Sequence, residues 1–172
     1  MGLFEDPYGK TFKNRKRHSP ESVKLAKTIA DESTVLLKNE NQLLPLDAKS
    51  LKSIAIIGPN ADQVQFGDYT WSRNNKDGVT PLQGIKNRVN KNTAIHYAKG
   101  CSLTSLDTSG IAEAVEAAKN SEVAVIFGGS ASAALARDYK SSTCGEGFDL
   151  NDLNLTGAQS QLIREVYRTG TP

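Results

Sequence analysis

Ile54-Ala-Ile-Ile57 runs directly into Gly58-Pro-Asn60, and Val123-Ala-Val-Ile-Phe127 runs directly into Gly128-Gly-Ser130. Neither apolar run alternates with polar residues, which is the pattern of a strand buried on both faces of a parallel sheet. A third strand-like run, Ala94–Tyr97, lies between them. Helical patterns separate and follow these runs. Pro81–Val89 is short, and Gly110–Asn120 places Ile111, Val115 and Ala118 on one face. The last helix is expected to begin at Thr156, with Gln159 three residues on, the spacing of a capping box. Gln159, Leu162, Ile163 and Val166 share its inner side, and Gly170 suits its stop. Strand–helix alternation of this kind predicts an open α/β sheet with helices on both faces.

Working outward, residues 1–18 are polar and irregular, with Pro7, Gly9 and the basic cluster Lys13, Arg15, Lys16, Arg17. They read as a linker or tail. Ser19 can cap a helix, and Pro20 fits the first helical position, where no N–H is needed. Val23, Ala26, Ile29 and Ala30 then recur at helical spacing, and Leu43-Leu-Pro-Leu46 is expected to pack on the core. At the other end, the final helix runs into Thr169-Gly-Thr-Pro172. Three strands make a thin sheet with an exposed edge, so the expectation is a fragment cut at both ends.

The 172 residues are enough for one domain, and 38% are apolar, so a real core can form. A formal charge of +2 does not suggest nucleic acid as a partner. No apolar run is long enough to span a membrane as a helix, and residues 1–8 lack the basic and apolar regions of a signal peptide. Cys101 and Cys144 could form one bridge or none. With His18 and His96 they show no metal-ligand spacing, so no metal site and no cofactor is expected. Gly58-Pro-Asn60 and Gly128-Gly-Ser130 follow strands as phosphate-binding loops do, but neither completes a nucleotide-binding fingerprint.

An open α/β sheet binds ligands at the carboxyl ends of its strands. Two segments there, 58–79 and 128–154, exceed the roughly 12–15 residues that loops without a role usually reach. The second contains Cys144-Gly-Glu-Gly-Phe148. Glycines on both sides of Glu146 let the backbone turn freely and let a ligand approach closely. A glutamate so placed can act as a general acid, or can be an exposed loop residue with no role. Phe148 can stack on a sugar ring or pack in the core. Asp68, Tyr69 and Trp71 in the first long loop combine carboxylate, phenol and indole, a mixture that suits a sugar site and also serves to anchor loops. Asp138 and Tyr139 could line the same cleft.

Five motifs then occur in order: Gly2-Leu-Phe-Glu-Asp-Pro-Tyr8; Val35-Leu-Leu-Lys-Asn39 with Leu43-Leu-Pro-Leu46; Ile56-Ile-Gly-Pro-Asn-Ala-Asp62; Thr80-Pro-Leu-Gln-Gly-Ile85; and Gly145-Glu-Gly-Phe-Asp149 through Leu153-Asn-Leu155 and Gln159. Together they resemble glycoside hydrolase family 3, which includes β-glucosidases and β-xylosidases. The resemblance covers almost the whole chain.

That resemblance implies a (β/α)8-type barrel carrying an aspartate nucleophile, followed by a three-layer αβα sandwich with a mostly parallel sheet. The sandwich supplies the acid/base glutamate. Residues 1–34 would be the linker and helix that follow the barrel, and 35–172 a partial, truncated sandwich packed on that barrel. By motif match Glu146 is the implied acid/base, and Phe148 the aromatic bordering the leaving-group subsite; Asp68 and Trp71 are candidate substrate contacts. Many relatives carry Asp-Arg after the Gly-Glu-Gly loop. Here it is Asp149-Leu150, which removes a guanidinium. The family's Ser-Asp-Trp nucleophile motif is absent from this sequence, so the isolated chain is expected to be inactive. The implied parent is a retaining β-glycosidase acting on terminal β-linked glucose or xylose of oligosaccharides, in a periplasmic or extracellular setting. A non-catalytic sugar-binding or scaffold domain is the alternative, with a nucleotide-binding α/β domain behind it.

Overall fold

The computed structural model describes residues 4, 5, 7, 18–67, 69–70, 78–132, 142–147 and 149–172. The chain divides into two compact units, Met1–Leu44 and Pro45–Pro172.

The first unit holds α1, Pro20–Ser33. Ser19 caps it as expected, its hydroxyl accepting from the Ser22 N–H at 3.2 Å, with Pro20 in the first turn. The helix buries none of its residues. A single 3₁₀ turn, Glu40–Gln42, follows. The Asn39 side chain brackets that turn, donating to the Leu44 carbonyl and accepting from the Leu44 N–H, each at 2.9 Å.

The second unit is built on a parallel sheet of β1 (Ser53–Ile57), β2 (Ala94–Ala98) and β3 (Ala124–Ile126), in the order β2-β1-β3. The register sets Ile57 beside Ala98 on one side and beside Ile126 on the other. Alternate side chains of β1 point to opposite faces of the sheet. Ala55 and Ile57 join Ala98 and the inner residues of two helices, α3 (Ile111–Lys119) and α4 (Gln159–Tyr167). Ile54 and Ile56 pack on the opposite face with Leu82 and Ile85 of α2 (Pro81–Arg88). Helices therefore cover both faces, as the alternation predicts. Fully burying side chains such as Ile56, Ile57 and Leu162 contributes about 1.5–3 kcal/mol each.

Burial on both faces holds for β1 but not for β3, whose three residues are only half-buried. β3 lies at the edge of the described sheet, where its outer N–H groups lack a strand partner; the Ala124 N–H is met by the Pro172 carbonyl at 2.8 Å. Of Leu43-Leu-Pro-Leu46, Leu46 packs on the core cluster around Ile54, whereas Leu43 and Leu44 are exposed. Cys101 and Cys144 are unbridged, Cys101 being buried in the core on the α3–α4 face.

The capping box expected at Thr156 does not form. α4 begins at Gln159 with Ala158 before it and no side-chain cap. The Thr156 hydroxyl donates instead to the Leu103 carbonyl at 2.6 Å. The Gln159 amide oxygen, which a capping box would turn to the Thr156 N–H, accepts from the Gly129 N–H instead.

The turn after β1 is locked from both sides. Gly58 N–H donates to the Ala98 carbonyl at 3.0 Å, and Asn60 N–H to the Phe127 carbonyl at 3.1 Å. Gly58 has φ +118, and a Cβ there would lie 2.4 Å from the Phe127 carbonyl oxygen. Gly147, at φ +73, has open space around its missing Cβ. Gly58→Ala is therefore expected to lower stability by about 2–4 kcal/mol, from strain plus a displaced backbone. Gly147→Ala should cost only about 1 kcal/mol, the left-handed penalty alone. Urea unfolding of both variants checks the difference. A second prediction concerns the thiols. Burial pushes the Cys101 thiol up, outweighing the nearby Lys99 ammonium, so little thiolate is present near pH 8. Iodoacetamide should label the more accessible Cys144 first and Cys101 only on unfolding, as read by peptide mass spectrometry.

Candidate active site

All three strands are parallel, so the segments after Ile57, Ala98 and Ile126 leave the same end of the sheet. The chain passes from β1 outward to β2 and then crosses to β3 on the other side of β1. Ligand crevices open at such a reversal of strand order.

Two open cavities lie at this end. One, of about 280 Å³, is lined by Pro59, Gln63, Gln65, Lys99, Ser132 and Ser142, among others. The Ser132 hydroxyl is buried and has no hydrogen-bond partner among the described residues. The other, of about 520 Å³, is lined by Thr104, Ser142, Thr143, Asp149, Asn154 and Thr156, among others. Thr104 and Ser142 border both. Hydroxyls, amides, the Asp149 and Asp152 carboxylates and the Lys99 ammonium supply the polar groups of these walls, a chemistry that suits a polyhydroxy ligand. No group of His, Cys, Asp and Glu among the described residues could hold a metal ion.

Glu146 sits in a turn in the segment after β3, exposed, between Gly145 at φ 145 and Gly147 at φ 73. Those backbone angles are open to glycine and strained for other residues, so the two glycines are what lets the chain present Glu146 at a sharp turn. The base of this turn is well held. Thr143 N–H donates to the Ala131 carbonyl at 2.9 Å, and Cys144 N–H to the same carbonyl at 3.3 Å. The Thr143 hydroxyl accepts from the Ala131 N–H at 2.9 Å. Ser132 and Cys144 form an isolated parallel bridge. Ala131 thus binds the returning chain three residues before Glu146.

The root of the same segment is held from α4. Gln159 Oε1 accepts from the Gly129 N–H at 2.8 Å, and Nε2 donates to the Gly129 carbonyl at 3.0 Å. Nε2 also lies within donating distance of the Leu103 carbonyl at 3.3 Å and the Thr156 carbonyl at 3.2 Å. Gln159 is 1% exposed and Thr143 2%. In the segment after β2, Asp107 holds the start of α3: it accepts from the Ser109 N–H at 2.9 Å and from its hydroxyl at 3.0 Å. The backbone bond first, then the hydroxyl, keep its carboxyl below the usual carboxylate range.

Of the candidates read from the sequence, Glu146 is placed at the carboxyl end of the sheet. Asp68, Trp71 and Phe148, with Asp138 and Tyr139, lie outside the described residues; Tyr69 is described and exposed. The roles of Thr143 and Gln159 were not read from the sequence. One signal was available: a glutamine on the inner stripe of an otherwise apolar helix must find partners for its amide.

Residues 34–172 match the family model described as the glycosyl hydrolase family 3 C-terminal domain. A β-xylosidase of Formosa agariphila is 39% identical over 158 residues, covering 88% of this chain and 21% of that protein. A periplasmic β-glucosidase of Salmonella typhimurium is 34% identical, covering 100% of this chain and 25% of that protein. The crystal structure of a Listeria innocua β-glucosidase in complex with glucose superposes with a TM-score of 0.71 at 27% identity, covering 99% of this chain and 22% of that one. The chain thus spans roughly a fifth to a quarter of the length of these relatives. With a family model matched over most of its residues and relatives above 30% identity covering most of the chain, the chain belongs to glycosyl hydrolase family 3, as its C-terminal domain.

Proposed function

We propose that this domain supplies the general acid/base, Glu146, to a retaining β-glycosidase acting on β-glucosides or β-xylosides. The observation that carries the reading is the Gly145-Glu146-Gly147 turn at the carboxyl end of the sheet, in a chain whose relatives are named as β-xylosidases and β-glucosidases. In this reading residues 1–34 link a preceding barrel to the sandwich of 35–172, and the barrel contributes the nucleophilic aspartate. Phe148, Asp68 and Trp71 are proposed to contact the sugar. The chain alone would not turn over substrate.

The chemistry follows from two carboxyl groups roughly 5–5.5 Å apart. The nucleophile attacks the anomeric carbon while Glu146 gives its proton to the departing glycosidic oxygen. The C–O bond to the leaving group breaks as the glycosyl–enzyme ester forms. Glu146, now ionised, takes a proton from water, which attacks the same carbon and releases the nucleophile. An exposed turn suits this double duty: the carboxyl must meet both a bulky leaving group and, later, water.

The test is Glu146→Ala in the intact natural protein. Turnover of aryl β-glucosides and aryl β-xylosides should fall by about 10²–10⁴-fold, the usual worth of a general acid/base. Azide needs no deprotonation, so it should restore turnover and yield the β-glycosyl azide. Undiminished hydrolysis by the variant would refute the assignment and leave a non-catalytic sugar-binding or scaffold domain as the better account.

A further inference from the structure

We infer that Thr143 and Gln159 are positioning residues for Glu146, acting as a two-stage clamp on the segment that carries it. The inference rests on the reading of Glu146 as the acid/base.

The first stage is a side-chain amide that pairs with one residue's backbone. Gln159 meets both the N–H and the carbonyl of Gly129, at 2.8 and 3.0 Å, as a neighbouring strand would. Its orientation is forced, because Oε1 can only face the N–H and Nε2 the carbonyl. The same nitrogen reaches the Leu103 carbonyl in the segment after β2. One side chain fixed on α4 therefore joins the segments that follow β2 and β3, the latter close to its departure from the sheet. The second stage closes that segment two residues further on. The Thr143 hydroxyl and N–H bind the N–H and carbonyl of Ala131, and Cys144 N–H shares that carbonyl. Two hydrogen-bonded links, Gln159 to Gly129 and Ala131 to Thr143, alternate with two short stretches of chain, two residues from Gly129 to Ala131 and three from Thr143 to Glu146. Beyond Thr143 the chain is a glycine-flanked turn, and the clamp fixes the base from which that turn departs.

A misplaced acid has a kinetic signature that general loss of stability lacks. Protonation matters most when the leaving group is a poor one, and little when it departs readily as an anion. The experiment compares the intact protein with Thr143→Val, Thr143→Ser, Gln159→Met and Glu146→Gln, each on two aryl glycosides. One releases a weakly acidic phenol, the other a strongly acidic dinitrophenol. Thr143→Val removes the hydroxyl at constant shape; a displacement near 1 Å is worth about 10²-fold in rate. The poor-leaving-group substrate should lose at least about ten times more kcat in Thr143→Val than the activated one, and Thr143→Ser should restore it. Gln159→Met should show the same split, and it keeps the inference testable should Thr143→Val not fold. Equal losses on both substrates, or a lower Tm with unchanged kcat, would overturn the clamp. If Glu146→Gln shows the split and the clamp variants do not, only the positioning role fails. If Glu146→Gln itself shows none, the acid/base reading fails first and the clamp with it.

Discussion

A primary amide taken out of water loses its hydration and must recover it from the protein, at a cost of about 1–3 kcal/mol for each polar group left unpaired. Gln159 is buried on the apolar side of α4, beside Leu162 and Val166, and its amide is met on both atoms by backbone. The segments after β2 and β3 each give backbone groups to it, at Leu103 and Gly129. The Leu103 carbonyl also accepts from the Thr156 hydroxyl, whereas both backbone groups of Gly129 are met by the Gln159 amide. The amide and the Gly129 backbone therefore satisfy one another. This mutual requirement ties a helix on one face of the sheet to the segments from which a site can be built.

Polar interior contacts are directional where apolar packing is not. The clusters on either side of β1 set how the layers stack, but many side-chain arrangements would satisfy them. The Gln159–Gly129 and Thr143–Ala131 pairs admit one arrangement each. An enzyme needs its reacting groups held in a narrow range of geometry, and supporting hydrogen bonds of this kind are how a turn outside the regular elements acquires it. The carboxylate can then sit on an exposed turn, reachable by ligand and water, without its direction being left to chance.

Much of this was legible in the residues. The unbroken apolar runs at 54–57 and 123–127 specify parallel strands, and the Ser19-Pro20 pair caps α1 as its chemistry requires. β1 is buried on both faces as its composition demands, while β3, equally apolar, is half-buried because of its place in the sheet; strand order is not a local property. The Thr156–Gln159 spacing was compatible with a capping box, but the partners are tertiary: the Gln159 amide oxygen accepts from the Gly129 N–H, and the Thr156 hydroxyl donates to the Leu103 carbonyl. The sharp turn around Glu146 was legible from its flanking glycines, whereas the hold of Thr143 on Ala131 was not, because a threonine's partners here lie twelve residues away in the chain.

A domain that presents Glu146 across a sugar from a second carboxylate must show both in a crystal structure of the intact natural protein with a bound sugar-like inhibitor. The Glu146 carboxyl should then lie roughly 5–5.5 Å from an aspartate supplied by the rest of the protein, with the ligand's anomeric centre between them. A ligand seated elsewhere, or Glu146 turned to solvent with no carboxylate opposite, would contradict it.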